Sequence, residues 1–460
     1  MSSLVFEGFL STPQMLAAFG EREVLQAMLD FEAALAEAQA AEGLIPAAAA
    51  SVIAECCKVD RFDTAAIVGA SGDAGSLAIP LVKALTAMVK AADAEAARFV
   101  HWGTTSQDVI DSGMVLVTRR ALGLIEADLA ALVEALFAID ERHGAAPVLA
   151  RTLMQPAQVV SFNFKLAEWI APLVRARGRL REAAARALQL QLGGAVGTLA
   201  VMGDKGDAVS RRVAARLGLR EPDAAWHTQR DEWVSLGAAV GVLSGSLGKF
   251  ARDLSLMAQG EVGELAEPSG GGRGGSSAMP HKRNPVSSMV ALAAAQRTPQ
   301  RVAGLLAAMP QEHERGLGNW QAELAEWAGL FISTHGALRA LATAAAGLEV
   351  HQQQMRANID RLLGLVYAEA LSTSLAATMG KAAAHALVEG WSHAALREQR
   401  QLRDIAQASP EGAALGAETL AALFDADAAA DQARRRAGAQ LGALRATWRA
   451  QSPSTERSSA

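Results

Sequence analysis

Seven apolar residues recur at steps of four and three along one stretch of the chain: Leu236, Val240, Leu243, Leu247, Phe250, Leu254 and Met257. That heptad spacing marks a seam on a long helix packed at a shallow angle against other long helices. Gly237, Gly241 and Gly245 form a second stripe on the same helix. Glycine costs about 1 kcal/mol per helical position against alanine, so the stripe implies a close approach by another backbone that compensates. A seam and a stripe together give two packing faces, and such a helix belongs inside a bundle. Trp233 to Gly248 carries no charge, but Asp231, Glu232, Lys249, Arg252 and Asp253 flank it. The uncharged run is shorter than the roughly 20 residues a membrane-spanning helix needs, so it reads as a buried bundle helix.

The rest of the chain agrees with an all-α fold. Apolar residues make up 51% of the sequence, which is enough to fill a large core. Helix formers dominate, β-branched runs are scarce, and Tyr367 is the only tyrosine. Three helical regions are expected. Residues 1–110 read as several short helices, with helical spacing at Val24, Leu25, Met28 and Leu29 and turn signals at Gly43, Pro46 and Gly72. Residues 111–350 carry the long helices, including Phe162 to Val174 and Val302 to Met309. Residues 351–450 return to shorter alanine-rich helices, broken near Ser409 and Pro410, and 451–460 form a polar tail expected to fray.

The net charge of −5, with both signs interspersed, argues against a nucleic-acid surface. Cys56 and Cys57 are adjacent, a spacing that suits neither a disulfide nor a metal, so a reducing, cytoplasmic setting is expected. The first residues lack the basic-then-apolar order of a signal peptide.

The segment Gly270 to Pro285 combines a glycine run, which alone would read as a linker, with residues that look like catalytic equipment. Glycines at 270–272, 274 and 275 lead into Ser276, Ser277, Met279, Pro280, Lys282, Asn284 and Pro285. Glycines give the stretch conformational freedom. Asn284 suits a helix N-cap and Pro285 the first helical position, so the loop should end on a helix N-terminus able to favour an anion. No Gly-Lys-Ser/Thr follows the glycines, which excludes a P-loop. A second motif, His101-Trp102-Gly103-Thr104-Thr105-Ser106-Gln107-Asp108, has capping-box spacing between Thr105 and Asp108. A third is Arg151-Thr152-Leu153-Met154-Gln155-Pro156-Ala157.

The glycine-serine loop resembles the signature of the fumarase/aspartase superfamily, which includes argininosuccinate and adenylosuccinate lyases. By motif position the resemblance implies that Ser276 is the catalytic base. It implies that Lys282 and Asn284 bind a substrate carboxylate and stabilise the intermediate. Thr105 and Ser106 match hydroxyls that hold a substrate carboxylate, and His101 matches a histidine that adenylosuccinate lyases keep before that motif. Thr152 and Gln155 match the third motif, but Leu153 stands where most of the superfamily has a histidine that assists the leaving group. The Thr-x-His-Asp-Val segment of adenylosuccinate lyases is also absent, and Gly72 to Pro80 occupies its place. These departures argue against fumarase, argininosuccinate lyase and adenylosuccinate lyase activity.

Three further stretches are similar to the bacterial 3-carboxy-cis,cis-muconate cycloisomerases: Gly193 to Leu199, Trp226 to Asp231, and Met309 to Arg315. His227, Arg230 and Arg315 lie in them and are candidates for positive donors to the substrate. Read on residues alone, His227 also fits a satisfied core histidine, residues 311–315 a solvated helix end, and the glycines of 193–197 a plain turn.

The resemblance implies three domains around a central long-helix bundle and a homotetramer with shared active sites. The substrate would be a small polycarboxylate of the protocatechuate branch of the β-ketoadipate pathway, with no cofactor and no metal. The implied reaction removes a proton next to a carboxylate and expels a carboxylate oxygen, or runs in reverse. The doubly negative intermediate needs preorganised donors and cations, and a hydroxyl base needs a lowered pKa and water exclusion. A carboxylate leaves with little protonation, which makes Leu153 intelligible. Other readings are a β-elimination lyase acting on a substituted succinate, a Ser-Ser-Lys hydrolase, and a non-catalytic scaffold on a lyase fold.

Overall fold

In a computed structural model, the described residues are 5–270, 272, 274, 275, 279 and 281–451. The chain is 72% helical, which settles the all-α class. The long helices are α1 (Glu21–Ala41), α2 (Ser106–His143), α3 (Phe162–Ala187), α4 (Asp231–Met257), α5 (Val286–Ala307), α6 (Asn319–Ala346) and α7 (Ala426–Ala450). Strands β1 (Pro147–Thr152) and β2 (Gln155–Ser161) form an antiparallel hairpin, with a register shift between Ala150 and Arg151.

The chain divides into two compact units. One comprises residues 1–130, 176–248 and 290–340; the other comprises 131–175, 249–289 and 341–460. In the first, the indoles of Trp233 and Trp327 stack with centroids 3.8 Å apart, joining the start of α4 to α6. In the second, Trp169 packs against Phe162 and Phe250. Farther along, Leu149 and Val159 of the hairpin share a core with Ile359, Tyr367 and Ala430.

The seam on α4 is buried throughout: each of its seven residues is 5% exposed or less. At 27 residues, α4 is long and apolar enough by composition to cross a membrane, and 56% of its apolar window is buried within the protein. The glycine stripe works differently from the expectation. Side chains approach it rather than a backbone. A Cβ on Gly237 would lie 2.7 Å from Leu305 Cδ1, and one on Gly241 would lie 2.6 Å from Val302 Cγ2, whereas Gly245 faces open space.

The first 110 residues hold one long helix, α1, besides short ones. Glu21 and Glu23 suit its positive end, and Gly43 just beyond it takes φ +69°. Gly72 lies inside the helix Thr64–Ala74, and the left-handed turn falls on Gly75 instead. The break near Ser409 and Pro410 is a new helix start, where Ser409 Oγ accepts from the Gly412 amide at 3.0 Å.

Candidate functional site

Asp108, in the first turn of α2, is the buried centre of the first unit's polar residues. Its Oδ2 accepts from the Thr104 hydroxyl at 2.9 Å, the Thr105 amide at 3.1 Å and the Gly194 amide at 2.9 Å. Its Oδ1 accepts from the Gly193 amide at 3.0 Å and meets His227 Nε2 at 2.7 Å. The Thr105–Asp108 bond is one half of the expected capping box. Gly193 and Gly194 are more than a turn. A Cβ on Gly193 would lie 2.5 Å from the Ala225 Cβ, and Gly194 takes φ +69°. One carboxylate thus gathers the second motif, the 193–199 stretch and His227. Because a carboxylate only accepts, His227 carries its proton on Nε2.

Thr105 Oγ1 accepts from Arg315 at 2.6 Å, so these two sequence candidates stand together. That bond leaves the threonine's own proton to donate elsewhere. Ser106 follows as the first residue of α2 and is half-buried. His101 takes a left-handed φ of 58° and places Nδ1 2.5 Å from Glu32 Oε1.

Arg230 is placed differently from the expectation of a substrate donor. Its side chain is fully buried, directly before α4. Its Nη1 donates to Asp111 Oδ2 at 2.8 Å and its Nε to Glu323 Oε2 at 3.1 Å, while Nη2 bonds both carboxylates. Trp320 Nε1 donates to the same Asp111 at 2.9 Å. Burial pushes the Glu323 carboxyl up, and Arg230 pulls it back only in part. Arg230 therefore serves the interior, with all three of its nitrogens engaged.

In the second unit, the third motif is the tip of the β1–β2 hairpin. Thr152 and Gln155 pair across it, and Leu153 and Met154 form the turn with φ of 50° and 67°. Two successive left-handed residues are what a tight hairpin requires, though asparagine and glycine usually supply them. Leu153 is 96% exposed. Arg151, two residues earlier, makes a bidentate pair with Glu264 at 2.7 and 3.0 Å, which Asn358 also joins at 2.9 Å. A cavity of about 690 Å³ is lined by Thr152, Leu153, Lys165, Trp169, Lys249 and neighbours. Burial, and then Arg151, hold the Lys165 ammonium below its usual pKa.

Lys282 is exposed and Asn284 half-buried, with the Asn284 amide bonded to Gly274 O at 2.8 Å. Ser276 lies outside the described residues. The helix expected to begin at Pro285 begins at Val286. Its N-terminus is not open to an anion, because Glu267 already occupies it. The amides of Ser287 and Ser288 each donate to the Glu267 carboxylate at 2.8 Å, and the Ser288 hydroxyl donates at 2.6 Å.

A sequence profile described as lyase matches residues 9–299. The chain belongs to this lyase family. A second profile, adenylosuccinate lyase C-terminus, matches residues 364–436. The chain is similar to a 3-carboxy-cis,cis-muconate cycloisomerase of Bradyrhizobium diazoefficiens, with 49% identity over 90% of this chain and 92% of the relative. It is similar to one of Pseudomonas aeruginosa, with 50% identity over 87% of each chain. Its fold is similar to the crystal structure of the 3-carboxy-cis,cis-muconate lactonizing enzyme from Pseudomonas putida, with a TM-score of 0.92 and 43% identity. That match covers 97% of this chain and all of the other.

Within this lyase chain, the sequence reading missed the acids: Asp108 as a hub, Glu32, Asp111, Glu264, Glu267 and Glu323. A signal existed for some of them. Glu32 sits among Met28, Phe31 and Leu35, and Asp111 between Ile110 and Met114, so both interrupt apolar faces where a charge needs a partner.

Proposed function

We propose that this lyase-family chain is a 3-carboxy-cis,cis-muconate cycloisomerase, interconverting that tricarboxylate and 4-carboxymuconolactone. The observation that carries the reading is near-half identity, over about nine-tenths of both chains, to enzymes of that name. Leu153 at the histidine position supports it, since a departing carboxylate makes little demand on a general acid.

Seen from the lactone, the reaction is a β-elimination. Ser276 takes the proton on the carbon next to a carboxylate, and the lactone oxygen leaves from the neighbouring carbon. Lys282 and Asn284 hold the charge that develops on the carboxylate. Thr105, Ser106, Thr152, Gln155 and Arg315 bind the remaining carboxylates. His227 and Arg230 are assigned to holding the architecture behind these donors. The working form is a homotetramer in the cytoplasm, with sites shared between copies, as the family resemblance implies.

The test is direct. Purified protein is mixed with 3-carboxy-cis,cis-muconate and the loss of its ultraviolet absorbance is followed. Conversion to the lactone is expected, with Ser276→Ala slower by about a thousandfold. Fumarate release from a substituted succinate, with the muconate untouched, would replace this reading with the β-elimination lyase.

A further inference from the structure

We propose that Glu32 is a positioning residue that keeps His101 cationic and aimed, so that the imidazolium donates to a substrate carboxylate; this rests on the cycloisomerase reading above. Glu32 lies on α1 with a side chain 1% exposed. Its Oε1 meets His101 Nδ1 at 2.5 Å, and its Oε2 has no hydrogen-bond partner. A carboxylate buried this deeply among apolar neighbours is costly unless a cation stands beside it. His101 supplies that cation through a short, charge-assisted bond.

The histidine is held in an unusual pose. Its left-handed backbone is uncommon for a residue other than glycine. Gln39, two turns along the same face of α1, fixes the next peptide by donating to Trp102 O at 2.7 Å. Glu32 and Gln39 therefore hold the loop at two points. The ring remains 18% exposed, and its Nε2 has no partner among the described residues. That nitrogen is a free donor three residues before Thr104 and four before Thr105.

The groups facing the pair are few. Asp108 adds negative charge from the first turn of α2. Cys57, after the helix Ala47–Cys56, is pushed up by burial and then by Glu32, so it stays a neutral thiol. Burial pulls the imidazole down, but the charge and hydrogen bond of Glu32, and then Asp108, outweigh it and lift His101 above its ordinary value. A raised histidine contributes its pairing fully below about pH 6.5 and loses it as pH rises through the folded pKa. Binding of an anionic substrate should weaken in that same alkaline direction.

The decisive variant is Glu32→Gln, which keeps the size and an acceptor but removes the charge. KM for the muconate should rise about tenfold near pH 7.5, with kcat changed far less. The pH at which KM begins to climb should fall, and Glu32→Asp should recover part of the loss. Histidine labelled at Cε1 reports the ring directly by NMR, with His101→Asn assigning the resonance. The wild-type signal should stay at the imidazolium position to higher pH than the Glu32→Gln signal. A folded Glu32→Gln protein with unchanged KM and unchanged His101 titration overturns the proposal. If wild type never turns over the muconate, the cycloisomerase reading fails on its own. The NMR titration then still decides whether Glu32 sets the charge of His101.

Discussion

His227 Nε2 and Asp108 Oδ1 stand 2.7 Å apart, with the histidine side chain 4% exposed and the aspartate fully closed off. Three amides and a hydroxyl converge on the same carboxylate. Asp108→Asn would point an amide NH₂ at backbone amides, which can only donate. It should lower the unfolding free energy by about 3–5 kcal/mol, read as an earlier urea midpoint at unchanged m-value.

Arg230 makes a contrasting prediction. Arg230→Met leaves Asp111 and Glu323 buried without their shared cation. A stability loss of about 3–5 kcal/mol is expected, with KM of the folded fraction little changed. Arg230→Lys should rescue poorly, because an ammonium cannot fork to two carboxylates as guanidinium does. A large rise in KM at full stability would return Arg230 to the substrate.

The hairpin tip yields a gain. Leu153 and Met154 hold left-handed angles that asparagine and glycine adopt more readily. Leu153→Asn with Met154→Gly should stabilise the protein by about 1–2 kcal/mol, seen as a higher Tm. Leu153→His should leave cycloisomerase turnover within about threefold, since a carboxylate leaving group asks little of a proton donor. A large acceleration would contradict that reading of the missing histidine.

Glu267 caps α5 from a separate segment. Glu267→Ala should cost about 1–2 kcal/mol by leaving the Ser287 and Ser288 amides unsatisfied. Glu267→Gln should cost less, about 0.3–1 kcal/mol, because the hydrogen bonds survive and only the charge–dipole attraction goes. Chemical denaturation of the two variants separates these contributions.

Much of the fold was legible because helix packing writes itself into spacing. The heptad seam of α4 announced a buried helix, and every seam residue is buried. The hairpin was not legible. Leu153 and Met154 give no turn signal, since their left-handed angles are imposed by the pairing on either side. At the site, Thr105 and Arg315 were both readable from motifs, and the structure brings them to 2.6 Å. The acids were not readable as partners. Asp108 and His227 are 119 positions apart, and Arg230 and Glu323 are 93 apart, so only the folded chain shows who neutralises whom. For the same reason Arg230 looked available when it is spent.

The carboxylate of Glu267 at the head of α5 has a consequence for how negative molecules are received there. A group tethered a few ångströms away acts as a permanent competitor, present at a local concentration no free metabolite matches. Dissolved anions such as sulfate or phosphate should therefore find little purchase at that helix end. On the proposed function, selectivity for polyanions near Lys282 and Asn284 comes from side-chain geometry, which can distinguish one acid from another, rather than from a bare dipole, which attracts them all.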